Sequence, residues 1–214
     1  MTILARIGGS PCLALMVMGA ATGKPDAPNP VTEPDAKRYA DCMTLIRDKP
    51  EQAYRMATTW GKEGGGHPAR HCAAVAMIDM GMPHEAARRL EDLANGVSRD
   101  ATGNKGVKND AMRSNLLAQA ASAWMIAAKP KAAYALQTKA MKLRPRDVEL
   151  LIDRSISLAG MGMYWEAIDD LNHALEIGPG RIEALVFRAS AYRRVQSPEL
   201  ATEDIERALG IDPT

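Results

Sequence analysis

Aromatic residues are scarce in this sequence, and neither sign of charge is in excess. Phe, Trp and Tyr make up 4% of the 214 residues, with a single Phe, and the formal net charge at pH 7 is +1. A protein that holds nucleic acid or an anionic membrane by electrostatic attraction needs a strongly basic face. The balance of charges therefore predicts no nucleic-acid partner.

Motifs that carry catalytic chemistry are also missing. The sequence contains no G-x-S-x-G nucleophile turn and no H-E-x-x-H zinc motif. The glycine run Gly64–Gly66 follows no strand pattern and precedes no Lys-Ser or Lys-Thr, so it does not read as a phosphate-binding loop. These absences predict a protein that is not an enzyme and that uses no cofactor.

What the sequence does contain is a repeat. Between residues 114 and 214, three consecutive segments of 34 residues carry the same residue classes at the same places. The matching sets are Ala133, Ala167 and Ala201; Ala140, Ala174 and Ala208; and Pro145, Pro179 and Pro213.

Each repeat has the pattern of two amphipathic helices joined by a turn. In the middle repeat, Leu151, Ser155 and Leu158 lie on one stripe of a first helix, and Gly160 and Gly162 follow it. A second apolar stripe then runs from Ala167 to Leu175 and ends at Gly178 and Pro179. Small residues recur at fixed places in both helices, which allows two helices to approach closely.

This pattern resembles the tetratricopeptide repeat. The residues that carry the resemblance are Ser155, Leu158, Glu166-Ala167, Ala174-Leu175 and Pro179, with Ala189, Tyr192, Leu200-Ala201, Ala208-Leu209 and Pro213 in the next repeat. The resemblance implies an all-α fold, a right-handed α-solenoid of helix-turn-helix repeats. Residues 35–94 predict two further, degenerate repeats, since Ala53 and Ala86 are 33 apart.

An insertion interrupts the register between these two groups of repeats. Ala86 and Ala133 are 47 residues apart where an uninterrupted repeat would give 34. Gly and polar residues are frequent here, so residues 95–110 are predicted to form an exposed loop. It is interpreted either as a tolerated insertion or as an arm that touches a ligand.

The N-terminal segment differs from the rest of the chain. Residues 1–21 carry one charge, Arg6, and an apolar run from Cys12 to Met18 that is too short to span a bilayer. Small residues follow, so the segment is predicted to be a signal peptide and the mature chain to be periplasmic or secreted, without membrane insertion. Residues 22–34 contain four prolines and are predicted to be a linker.

Two cysteines remain after this segment. Cys42 and Cys72 lie in the first helices of neighbouring predicted repeats, which a repeat stack brings side by side. In an oxidising compartment they are predicted to form a disulfide, and the alternative is a pair of buried free thiols.

A metal- or thiol-handling protein is the alternative function. It would be centred on Cys42, Cys72, His67 and His71, with His84 the next nearest histidine in the sequence. No carboxylate has ligand spacing with the histidines, so no metal site is assigned.

The resemblance places partner binding on the concave face, at positions two, five, nine and twelve of each repeat. These positions predict a protein or peptide partner. The candidate contact residues are His71, Val75, Ile78, Asn115, Ala118, Ser122, Met125, Glu149, Ile152, Ile156, Glu183, Val186, Ser190 and Arg193. The alternative for Ile152 and Ile156 is that the opposite wall of a tight superhelix covers them.

Two further expectations come from comparing the repeats. Arrays of this family usually close with an extra polar helix, and without one Ile205, Leu209 and Ile211 are expected to be partly exposed and to allow self-association.

Arg154 and Asp170 recur together as Arg188 and Asp204, which predicts an ion pair within each of these repeats.

Overall fold

A computed structural model describes residues 33–97 and 107–213, and the regular structure in these ranges is entirely α-helical. The helices of the described residues, in chain order, are α1 (Glu33–Ile46), α2 (Pro50–Lys62), α3 (Gly66–Asp79), α4 (Pro83–Gly96), α5 (Val107–Ile126), α6 (Pro130–Leu143), α7 (Val148–Gly160), α8 (Tyr164–Ile177), α9 (Ile182–Arg194) and α10 (Pro198–Ile211).

Proline marks the start of four of the five even-numbered helices. Pro50, Pro83, Pro130 and Pro198 are each the first residue of a helix. This position suits proline because its fixed φ is already helical and the missing N–H would have no partner in the first turn.

The turn inside a helix pair has the same backbone in successive repeats. Gly162 has a φ of +79°, and the residues 34 positions away on either side, Ala128 and Gln196, have φ of 55° and 61°. A left-handed residue at this place lets the next N–H close the helix, as when Met163 N–H bonds to the Leu158 carbonyl.

The helices pack in chain order, so the chain is an all-α solenoid, as predicted. The small positions named from the sequence are at its helix contacts: Ala121, Ser155, Ala189, Ala133, Ala167 and Ala201 are each at most 4% exposed. Leu117, Leu151 and Leu185, at the matching place in successive repeats, fill the core between the pairs.

The two predicted ion pairs are present. Arg154 donates from Nε and Nη2 to the two carboxylate oxygens of Asp170, and Arg188 does the same to Asp204, at distances of 2.5–2.8 Å. Hydrogen bonding to Asp170 raises the pKa of Arg154 above its ordinary value. The pairs tie the first helix of a repeat to its second, so the prediction is confirmed.

The predicted loop and linker are both shorter than their sequence patterns suggested. Asn95 and Gly96 belong to α4, and α5 begins at Val107, so helix occupies both ends of the predicted 95–110 loop. The glycines and lysines there were interpreted as breaking helix, but single ones are tolerated in a terminal turn. Likewise α1 begins at Glu33 and takes the last two residues of the predicted linker 22–34.

The predicted signal segment, residues 1–21, lies outside the described residues. None of the described helices combines the length and the apolar character needed to cross a membrane.

Candidate functional site

The odd-numbered helices form the inner face of the solenoid. Odd-numbered neighbours touch each other, α1 with α3, α5 with α7 and α7 with α9, while no two even-numbered helices make comparable contact within the described ranges. Helices that approach one another across successive repeats lie on the side of tighter curvature. The concave face is therefore built from the first helix of each pair.

The structure brings the predicted contact residues onto these helices with three degrees of exposure. Seven are exposed: Asn115, Ser122, Glu149, Glu183, Val186, Ser190 and Arg193. Six are half-buried: His71, Val75, Ile78, Ala118, Met125 and Ile156. The remaining one, Ile152, is 4% exposed.

The burial of Ile152 corrects its assignment as a groove residue. It belongs to a core cluster with Leu171, Leu175 and Leu185, and Ile156 packs against the same cluster. The α9 helix is the next inner helix after α7 and covers this place. The matching residue on α9, Val186, is 44% exposed. Ile152 is therefore covered, as the alternative expected, but by the next inner helix and not by the opposite wall of a superhelix.

The inner face is better described by the residue after position five, which the sequence prediction missed. Gln119 and Phe187 are exposed there, and Asp153 is half-buried at the same place on α7. Each directly follows a predicted contact residue in the sequence. The sequence contained a signal that the exposed place is one residue later than predicted. This signal is the apolar stripe of amphipathic α7, whose Leu151 and Leu158 lie in the core.

Three of the exposed polar residues are engaged in ion pairs and hydrogen bonds at one rim of the face. Arg144 donates to Asn115 Oδ1 at 2.7 Å. Arg181 lies 2.5 Å from Glu149 and 3.3 Å from Glu183. The Arg181–Glu149 pair joins the start of α9 to α7 in the preceding repeat, so position two serves the stack as well as the surface.

Asp153 lies at this rim with no cation beside it. Arg181 and Arg144 contact other acids, and within the described part of the chain the Asp153 carboxylate has no hydrogen bond or ion pair. Burial raises its pKa above the ordinary value, and the nearby charges of Glu149 and Asp147 raise it further. The C-terminal half of the inner face thus carries an uncompensated negative charge.

A hydrogen-bonded chain crosses the N-terminal half of the face. Tyr39 on α1 lies 2.8 Å from His71 Nδ1, and His71 Nε2 lies 2.6 Å from Gln119 Oε1 on α5. Burial lowers the pKa of His71, which favours the neutral ring. The neutral ring then donates from Nε2 to the amide oxygen and accepts at Nδ1 from the tyrosine hydroxyl. His71 thereby joins three inner helices across the insertion.

The predicted disulfide is present. It uses both cysteines on which the alternative of a metal- or thiol-handling protein was centred. Cys42 and Cys72 are bonded, with Cα atoms 6.3 Å apart, and join α1 to α3. Over the described ranges, no three His, Cys, Asp or Glu side chains converge to hold a metal ion. Nothing in the described residues supports a metal- or thiol-handling site.

The last helix pair leaves an apolar face uncovered, as expected. Ile205, Leu209 and Ile211 are 41%, 53% and 46% exposed. The residues 34 positions before the first two, Leu171 and Leu175, are 1% and 6% exposed because the following helix pair covers them.

Comparisons with known proteins agree on the fold. The sequence matches no protein-family model and no curated protein. Among solved structures, MamA 41-end from Desulfovibrio magneticus RS-1 is similar with a TM-score of 0.67, at 13% identity, covering 86% of this chain and 97% of that one.

A second similar structure is YrrB, described as a TPR protein with an unusual peptide-binding site. Its TM-score is 0.61 at 20% identity, and the match covers 82% of this chain and 85% of YrrB. Identities this low establish the fold and nothing finer. This chain therefore has the fold of a tetratricopeptide-repeat solenoid.

Proposed function

We propose that this protein is a non-enzymatic interaction scaffold whose concave face binds a peptide or a segment of a partner protein. One observation carries the proposal: Phe187 leaves 38% of its surface exposed on inner helix α9, at the same place of the repeat as the exposed Gln119. An exposed aromatic side chain on a concave helical surface suits anchoring by a partner's apolar residues. The similar structure YrrB, a TPR protein with a peptide-binding site, supports this reading.

The proposal is tested with the full chain and a displayed library of random peptides. We expect selected peptides to lose binding to Phe187→Glu, since a charge would replace an apolar anchor. The matched control is Trp165→Glu, which changes an exposed aromatic residue on α8, an outer helix. Selection of no peptide, or equal loss with both variants, would reject the groove.

The disulfide supports a location outside the reducing cytosol. Disulfides persist in exported proteins and are rare where thiols are kept reduced. We infer that residues 1–21 direct export to the periplasm or the medium and are then removed. Mass spectrometry of the protein from its native host tests this, and an intact Met1 would overturn it.

The exposed end of the solenoid supports self-association as a second interaction. A copy that packs against Leu209 and Ile205 would bury surface that earlier repeats bury inside the chain. Sedimentation velocity should show concentration-dependent association that Ile205→Glu with Leu209→Glu abolishes. A monomer at every concentration would exclude it.

A further inference from the structure

A cleft outside the concave face has no role in the function proposed above. Its volume is about 530 Å³, and it opens where α4 begins and where α5 turns into α6. The cleft is largely open to solvent, so it suits contact with a side chain of a partner protein better than enclosure of a small ligand. It lies at the edge of the solenoid formed by the turns within helix pairs.

The walls of the cleft are mainly apolar. Trp124 and Pro130 line it, and the ring of His84 stands edge-on to the indole with centroids 4.6 Å apart. The residue matching Trp124 in the next repeat, Leu158, is 3% exposed, whereas Trp124 is only half-buried. The larger indole therefore presents apolar surface that the smaller side chain does not.

The rim of the cleft is cationic. Lys129 and Lys131 both line it and both are exposed, and neither makes a hydrogen bond or ion pair through its side chain to any described residue. No acidic residue is among the described lining residues. An acid does stand in the first turn of α2, α4, α8 and α10, but none stands in the first turn of α6. No acidic side chain among the described lining residues or in the first turn of α6 thus balances the positive charge at this cleft.

We propose that this cleft binds an acidic segment of a partner protein. One apolar or aromatic side chain of the segment packs against Trp124 and Pro130, and flanking carboxylates lie beside Lys129 and Lys131. Exposed ion pairs contribute little affinity, so burial of the apolar side chain holds the segment and the lysines select its charge. This surface is separate from the concave face, which lets the protein hold two partners at once.

The experiment is an NMR titration of the full chain with a synthetic peptide that has one Phe flanked by Glu residues. We expect saturable shifts of the Trp124 indole N–H and of the backbone amides of residues 129–132. A peptide with Lys in place of Glu, and one with Ser in place of Phe, should each shift these resonances far less.

Charge-reversal variants separate this site from general attraction. Lys129→Glu with Lys131→Glu should weaken binding by about tenfold or more, because rim charges steer and select a charged partner. Lys139→Glu with Lys142→Glu, on the exposed side of the same helix, should leave it within about twofold. Trp124→Tyr tests the apolar wall if larger changes at this position unfold the chain. Tyrosine is chosen because Tyr192 occupies the matching place in the last repeat.

Three outcomes would overturn the proposal. They are no saturable shift at millimolar peptide, equal binding of the Lys-flanked peptide, and equal loss with the two pairs of lysine variants. Shifts confined to Val186 and Phe187 would assign the acidic peptide to the concave face instead. The inference does not depend on the groove proposal, because either surface can fail its test while the other passes.

Discussion

At the scale of single residues, the Arg154–Asp170 pair shows what a repeat sequence reveals about contacts. The side chains are 21% and 9% exposed, and the pair at Arg188–Asp204 is buried to a similar degree. The places that hold Arg154 and Asp170 hold Ala120 and Leu136 in the preceding repeat, so both partners change together. A half-buried charge left alone costs more than replacing both partners by apolar residues.

This pair should show strong coupling in a double-mutant cycle. Arg154→Ala alone should lower the unfolding free energy by about 3 kcal/mol, because it leaves the Asp170 carboxylate buried without its ion-pair partner. The double variant with Asp170→Leu should recover part of that loss. Denaturant unfolding measures it, with the exposed pair Lys37–Asp41 as control, where coupling should be at most about 0.5 kcal/mol. Additive effects at Arg154 and Asp170 would contradict the contact.

Thr138 offers a stabilising substitution that the same comparison of repeats identifies. Arg188 donates a further hydrogen bond from Nη1 to Asn172 Oδ1 at 2.7 Å. The residue matching Asn172 beside Arg154 is Thr138, whose buried hydroxyl has no hydrogen-bond partner among the described residues. Thr138→Asn should therefore add about 1 kcal/mol of stability. Loss of that gain in an Arg154→Ala background would assign it to the new bond, and an unchanged gain would contradict this.

The surroundings of Asp153 predict that the stability difference between the wild-type chain and an Asp153→Asn variant depends on pH. Its pKa is raised in the folded chain, so the folded state holds the proton more tightly than the unfolded state does. Tighter proton binding stabilises the folded state at pH values below the pKa of Asp153 in the unfolded chain, which is near 4. This stabilisation is lost as the pH rises through the pKa of Asp153 in the folded chain. Asp153→Asn should therefore raise Tm by about 2 °C at pH 7 and leave it unchanged below about pH 4.

The control for this measurement is Asp169→Asn, which neutralises an exposed carboxylate on outer helix α8. It should change Tm little at either pH. An equal rise for both variants would show that net charge, and not the surroundings of Asp153, sets the difference.

At the scale of helices, the disulfide fixes the first repeat to the second. Cys42 and Cys72 are fully buried between α1 and α3, and the bond closes a loop with a sequence separation of 30. A loop of this length removes about 3–4 kcal/mol of unfolded-state freedom in the chain-entropy model.

Reduction of the disulfide should therefore lower the unfolding free energy by about 3 kcal/mol. The buried thiols should still pack as small apolar residues. Hydrogen exchange should show α1 losing protection first, because α1 packs extensively only against α2 and α3 among the described helices. The double variant Cys42→Ala/Cys72→Ala is the control and should not respond to reductant. Unchanged stability of the reduced wild-type chain would contradict the prediction.

The helices and the pairing of their faces could be predicted from the sequence, while the exposed part of the inner face could not. Spacing of 34 identified Ala133, Ala167 and Ala201 as close contacts because a core position needs the same side chain in every repeat. Ile152 was assigned wrongly because its burial depends on which helix follows. The contact of His71 with Gln119 crosses the insertion, where the repeat register gives no guide to the neighbour.

At the scale of the whole molecule, the solenoid presents three surfaces of different character. The concave face combines the exposed Phe187 with an uncompensated carboxylate at Asp153. The turn edge has an apolar cleft rimmed by lysines, and the last helix pair leaves apolar side chains exposed. The three proposed interactions use separate surfaces, so a partner bound at one surface would leave the other two free.

Site-specific photo-crosslinking tests the central claim, binding at the concave face, most directly. A photoreactive amino acid replaces Phe187 on the inner face, or Trp165 on the outer helix α8, in the full chain expressed in its native host. We predict that position 187 crosslinks a defined partner, that position 165 does not, and that Val186→Glu abolishes the crosslink without lowering Tm. The same adduct from both positions, or a crosslink that survives Val186→Glu, would contradict the account.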